Sequence, residues 1–139
     1  MSVGLSEAGR KQTRYVLPDE REHILYRSTH GNHPSAVWVR QSDANYNWLY
    51  KLLCELCEEY TYRYGKIHST ERLLETLCFT PNNIPEGPFT EPTPAMDESY
   101  KVKNDSLNSY KNYYRQAKKG FASWNGKINS RPIPNWYSS

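Results

Sequence analysis

Nowhere in these 139 residues do apolar side chains run on for the roughly 20 positions a membrane span requires, so no spanning segment and no membrane partner is expected. Cysteine is sparse, and its count of three is odd. That excludes a fully paired disulfide framework and fits a reducing compartment. The opening Met1-Ser2-Val3-Gly4-Leu5 has neither the basic nor the apolar region of a secretory signal. A cytoplasmic location is therefore the expectation. There is no Gly-x-Ser-x-Gly elbow and no phosphate-cradling P-loop, so hydrolase and NTPase chemistry find no support. Acid is nearly missing from one end: after residue 100, Asp105 stands alone.

What is present is aromatic. Tyr, Trp and Phe make up 14% of the chain, with 12 Tyr and 4 Trp. Tyrosine fills a core with its ring while its hydroxyl finds a polar partner, which lets a chain of low hydropathy fold. Tyr and Trp also stack on bases and anchor interfaces. Charge is divided by sign: residues 1–100 hold 10 Lys/Arg against 14 Asp/Glu, and residues 101–139 hold 8 against one. That split points to a polyanionic partner for the C-terminal third.

The patterning predicts an all-α fold: one compact helical domain over 1–139, with a long Pro-rich wrapping loop and an extended C-terminal tail. Ser6 and Glu7 open a short helix to Tyr15, and Asp19 opens another to Tyr26. Pro34 suits the first turn of a helix through Trp38 to Arg40. Ser42 is a good N-cap for the strongest element, in which Leu49, Leu52, Leu53, Leu56 and Tyr60 recur at helical spacing until Gly65 stops it. Ser69 is expected to cap a helix to about Phe79. Five prolines exclude helix and central strand over 80–95. A basic amphipathic helix is expected over 106–124, with Leu107, Tyr110, Tyr114, Ala117, Phe121 and Trp124 as its apolar stripe. Residues 125–139 read as an extended tail docked through Trp136.

His30, His33 and His68 lack a partner pair at a metal-site spacing. They read as hydrogen-bonded or capping histidines; neither a metal nor another cofactor is expected. Cys54-x-x-Cys57 falls in the middle of a helix, where buried packing explains it better than redox chemistry. Glu58, Glu59, Tyr62, Arg63, Lys66 and His68 form a cluster in which a carboxylate beside cations serves as acid–base group or orients a phosphate. Glu59 and His68 are the catalytic candidates. Lys111, Arg115, Lys118 and Lys119 make a basic stripe on the expected helix 106–124, a source of sequence-independent affinity for phosphates.

Three stretches together resemble a family of small bacteriophage proteins. They are Thr29-His30-Gly31-Asn32-His33-Pro34-Ser35-Ala36-Val37-Trp38, Asn45-Tyr46-Asn47-Trp48-Leu49, and Glu59-Tyr60-Thr61-Tyr62-Arg63-Tyr64-Gly65-Lys66-Ile67-His68. Tyr110-Lys111-Asn112-Tyr113-Tyr114 and Pro134-Asn135-Trp136 extend the likeness. Asn32-His33-Pro34 and Arg63-Tyr64-Gly65-Lys66-Ile67 are also similar, more distantly, to pyrimidine-dimer DNA glycosylases of the phage endonuclease V type. Those are compact all-α enzymes with an N-terminal amine as nucleophile and a glutamate as acid–base group. No residue near Met1 matches that nucleophile. The resemblance implies an all-α fold and a phage protein in the cytoplasm of an infected bacterium. It also implies a DNA or nucleotide ligand, with His30, His33, Arg40, Tyr46, Trp48, Tyr62, Arg63 and Lys66 lining a nucleotide-sized pocket. Two further readings stay open: a protein that sequesters a nucleotide to blunt host defence signalling, and a module that grips a host protein.

Overall fold

Ser42 turns the chain into its longest helix. Its Oγ accepts the Asn45 N–H at 3.1 Å, satisfying one of the donors that every helix start leaves unpaired. The computed structural model describes residues 17–138; the helix expected from Ser6 to Tyr15 lies outside them. The described elements are α1 (Arg21–Ile24), α2 (Pro34–Val39), α3 (Asp43–Tyr64), a 3-10 turn (Ser69–Leu73) running into α4 (Leu74–Leu77), a second 3-10 turn (Glu98–Tyr100), α5 (Ser106–Gln116) and α6 (Asn135–Ser138). Among the described residues there is no strand beyond one isolated bridge, Val102 to Asp105. The fold is all-α.

α3 is the axis of the molecule. Gly65 ends it in the left-handed conformation, φ 65°, a region open to glycine at little cost. The Pro-rich segment 80–95 crosses its N-terminal end as a strap. There the Asp43 N–H donates to Pro85 O, and Ser42 Oγ donates to Pro88 O at 2.9 Å. Asn45 is fully buried. Its Nδ2 donates to Trp38 O and to Thr90 Oγ1, and its Oδ1 accepts from Thr90 N–H. Trp38, 4% exposed, meets Trp48 and Phe89 edge to face and donates its indole N–H to Thr90 O. Tyr46 and Tyr50 donate their hydroxyls to Leu77 O and Leu74 O, so α4 is fastened to α3 through its carbonyls.

The tail closes the other end of α3. Two of its last carbonyls, which no helical N–H can reach, are taken up by residues far along the chain. The Ile128 N–H donates to Arg63 O at 2.8 Å and Asn129 Nδ2 to Tyr62 O at 2.9 Å. Gly126 makes this approach possible, since a Cβ there would stand 2.6 Å from Arg63 O and against the Asn129 carbonyl. Gly126→Ala is accordingly expected to release the tail while α3 persists. Loss of amide-exchange protection confined to residues near 126–131 checks this; protection equal to wild type would remove the tight approach from the account.

Several boundaries differ from the sequence pattern. The helix expected over Asp19–Tyr26 is a single turn, because Leu25 is already extended and Arg72 takes the Ile24 carbonyl. The helix expected from Ser69 is capped instead by His68, whose Nδ1 accepts from Thr70 N–H at 3.1 Å, and it ends at Leu77. The helix expected over 106–124 stops at Gln116. There Tyr113 O accepts from both Ala117 and Lys118, and Gly120 sits in the turns that follow. Its apolar stripe stops with it, leaving Phe121 70% exposed. The tail is extended only to Pro134; α6 then carries Trp136 against Tyr114 and Trp124.

Candidate nucleic-acid interface

The residues expected to share one pocket do not converge. Tyr46 and Arg63 are 17 positions apart on one straight helix, about 26 Å at 1.5 Å per residue, too far for a small ligand to touch both. Several have local work instead. His33 caps α2, its Nδ1 accepting from Ser35 N–H at 3.1 Å. His30 is exposed in the preceding loop at φ 52°. Trp48 packs on Trp38 and Phe89, and Tyr46 holds Leu77. Lys66 is exposed beyond the end of α3. His68, besides its cap, meets the Tyr60 ring edge to face at 4.8 Å. Cys57 is buried and Cys54 half-buried inside α3, as packing residues would be, and burial raises the Cys57 thiol above its usual pKa. Among the described residues no group of three or more His, Cys, Asp or Glu is placed to hold a metal ion.

Glu59 is engaged on both sides. Arg131, 72 residues later, grips both carboxylate oxygens at 3.0–3.2 Å while its guanidinium lies 3.8 Å over the Tyr62 ring. Arg63 Nε donates to Oε2 of the same carboxylate at 2.6 Å. The Arg131 hydrogen bonds first, and those of Arg63 second, hold the Glu59 carboxyl below the usual carboxylate range. A group held ionised in this way is a poor proton donor near neutrality. Its position makes it the clasp of the tail.

The sign of its pH dependence follows. A depressed folded pKa gives stability that is complete above the unfolded carboxyl value and is lost as pH falls through the folded one. Amide protection at 126–131 should hold at neutral pH and disappear in acid, and Glu59→Gln should reproduce the loss at neutral pH. Protection indifferent to both changes would show that the backbone bonds alone hold the tail.

No family model, curated protein or solved structure matches the chain. Its own chemistry must carry the functional reading.

That chemistry gathers around α5. Asp105 caps it, accepting from Asn108 N–H at 3.0 Å, and the Glu91 carboxylate of the strap accepts from Ser106 N–H. Ser109 is fully buried; its Oγ accepts from Val102 N–H at 2.8 Å and lies 2.6 Å from Asp105 O, fixing the approach to the helix. The cations come next. Lys111 Nζ lies 5.9 Å over the Trp136 ring, and Lys118 Nζ lies 5.1 Å over Tyr113 and 4.9 Å over Phe121. Lys119 is exposed, and Arg115 buries its Nε with no hydrogen-bond partner. The ion pairs among the described residues use Asp19, Glu59 and Glu98 and none of these four cations. Tyr113, Tyr114, Trp136, Trp124 and Tyr137 form a continuous series of ring contacts beside them. Sequence periodicity located the four cations on or beside α5, but not the rings of 124–137, which only the fold of the tail brings to them.

A second feature lies at the other end of the molecule. A cavity of about 770 Å³ opens beside α1, with Tyr26, Arg27, Asn32, Arg40 and Asn83 among its walls. Arg40 was expected at a ligand site; Arg27, Asn32 and Asn83 were not, since they have no spacing that a sequence reading could use. Arg40 Nη2 donates to Gly31 O at 2.8 Å, which holds the guanidinium at the rim. Among the described residues no helix is long and apolar enough to cross a membrane.

Proposed function

We propose that this chain is a phage nucleic-acid-binding protein working in the host cytoplasm, without glycosylase chemistry at Glu59. Lys111, Arg115, Lys118 and Lys119 hold phosphates, and the rings beside them accept unstacked bases. The observation that carries this reading is a set of four cations, none of them in an ion pair among the described residues and only Lys111 within electrostatic reach of a carboxylate, that of Asp105, with Lys111 and Lys118 lying over aromatic rings. Positive charge that the protein does not neutralise itself is what a polyphosphate backbone requires. Aromatic faces beside it favour single strands, whose bases are free to stack.

Fluorescence anisotropy with labelled single-stranded, duplex and UV-irradiated duplex DNA, at several salt concentrations, tests it. About four phosphate contacts give a log–log salt slope near −3 on single strands. The expected result is that slope, tighter binding to single strands than to duplex, and no strand cleavage at lesions. Absence of binding at low salt would overturn the reading, and lesion-dependent cleavage would overturn its non-catalytic part.

A second reading, a protein that sequesters a small nucleotide, is favoured by the cavity beside α1. Its volume falls within the roughly 300–1,000 Å³ of small-molecule sites, and Arg27 and Arg40 supply charge for a phosphate. A panel of mono-, di- and cyclic nucleotides should then raise the melting temperature, with the effect lost in Arg40→Ala. A panel without any shift would dismiss it.

A further inference from the structure

Two arms of the aromatic surface beside α5 spring from one point in the tail. The Arg131 N–H donates to Trp124 O at 2.8 Å, which closes the loop 124–131 on itself, and the Gly126 N–H donates to Ser130 Oγ within it. One arm is the Trp124 indole. The other runs from Arg131 through Pro132-Ile133-Pro134 to α6, which carries Trp136 and Tyr137. The arms meet again in the rings. Trp124 lies 6.2 Å from Trp136 and 4.6 Å from Tyr137, and Trp136 lies 6.4 Å from Tyr114 of α5.

The second arm is a strut. Pro132 and Pro134 fix their own φ and hold the residues before them extended, so the four steps from Arg131 to Asn135 span about 12 Å with little freedom. Ile133 is 61% exposed, so packing of its side chain does not steer the strut. Its direction is set at its ends, by α6 against α5 and by Arg131. Glu59 holds Arg131: both carboxylate oxygens accept from the guanidinium, and the Tyr62 ring lies against its face. The bonds from Ile128 N–H to Arg63 O and from Asn129 Nδ2 to Tyr62 O grip the loop at its middle. The Glu59 contact grips it at the root of both arms. We propose that Glu59 is a positioning residue of the α5 interface: by fixing Arg131 it sets Trp124, Trp136 and Tyr137 as a stacking platform beside the cations. This role rests on the nucleic-acid reading above. Glu59 acts on the rings and leaves the four cations as they are, so it governs stacking and not charge.

Two measurements on the full chain test it. In proton–nitrogen NMR spectra the indole N–H resonances of Trp124 and Trp136 should shift in Glu59→Gln, while those of Trp38 and Trp48 stay in place and report an intact fold. By fluorescence anisotropy on a labelled oligothymidine, the same variant should bind about tenfold more weakly with the salt slope of wild type, because all four cations remain. Pro132→Gly combined with Pro134→Gly is the second variant. It should keep the amide protection of 126–131, since the clasp is untouched, yet shift the Trp136 resonance and weaken binding to a similar degree. A contribution of Glu59 to folding alone would not produce that separation. If wild type binds and Glu59→Gln binds as tightly, or if its Trp124 and Trp136 resonances do not move, the positioning role alone is overturned. A wild type that binds no oligothymidine overturns the nucleic-acid reading and this role with it.

Discussion

Asn45→Ala is expected to lower the unfolding free energy by about 3 kcal/mol, followed by urea denaturation with tryptophan fluorescence. The side chain is completely buried and joins three elements: α3, the end of α2 at Trp38 O, and the strap at Thr90. The largest contribution comes from what alanine leaves behind. Trp38 O keeps a second donor, the Gln41 N–H at 3.2 Å, so its loss is partial. Thr90 N–H has Oδ1 as its acceptor at 2.9 Å and would be stranded against the protein. An unmade hydrogen bond of that kind costs roughly 1–3 kcal/mol, and the vacated volume adds a further loss. Asn45→Asp should be at least as damaging, since it removes the Nδ2 donor and places a charge where no water reaches. Thr90→Ala, which keeps the backbone bond, should cost only about 1 kcal/mol. Should Asn45→Ala fall within 1 kcal/mol of wild type, the strap is not anchored at this point.

Alanine at Lys111, Arg115, Lys118 and Lys119 together should flatten the salt dependence of DNA binding by about three units of slope on single strands, with affinity at low salt falling about a hundredfold or more. Trp136→Ala is the informative companion. Trp136 stands under Lys111 and in contact with Tyr114 and Trp124, so it is placed to stack rather than to neutralise charge. Loss of one stacking platform is worth roughly 1–3 kcal/mol and should leave the salt slope unchanged. The pair of measurements separates the two halves of the interface. A quadruple variant that binds with undiminished slope would move the phosphate contacts elsewhere on the protein.

The sequence announced those parts of the fold that local chemistry decides. Ser42 and Gly65 mark both ends of α3 because a cap and a left-handed stop each act within a few residues. The prolines of 80–95 forbid helix wherever they fall. Glu59 and Arg63 pair as their spacing of four dictates. What was illegible depended on distant partners. Nothing in the sequence joins Arg131 to Glu59, and without that contact Glu59 looks like a catalytic carboxylate beside a cation. The basic helix was overextended because the apolar period continues through Phe121 and Trp124, while the chain has already turned at Ala117. His68 displaced Ser69 as cap because an imidazole nitrogen accepts the same hydrogen bond a hydroxyl would, one residue earlier. The expected pocket failed for a geometric reason: residues collected along a rigid rod remain strung out along it.

The closure of α3 by segments 45 and 72 residues downstream also sets an order of events during synthesis. When Tyr64 leaves the ribosome, α3 has its own backbone bonds but neither of its fastenings. The strap arrives next and the clasp at Arg131 last, so a nascent chain holds the C-terminal carbonyls of its main helix open to water until the end. Long-range contacts of this kind slow folding, because a large loop must close before they yield anything. The interval before Arg131 appears is thus the time when the growing protein is most exposed to proteases and to wrong neighbours.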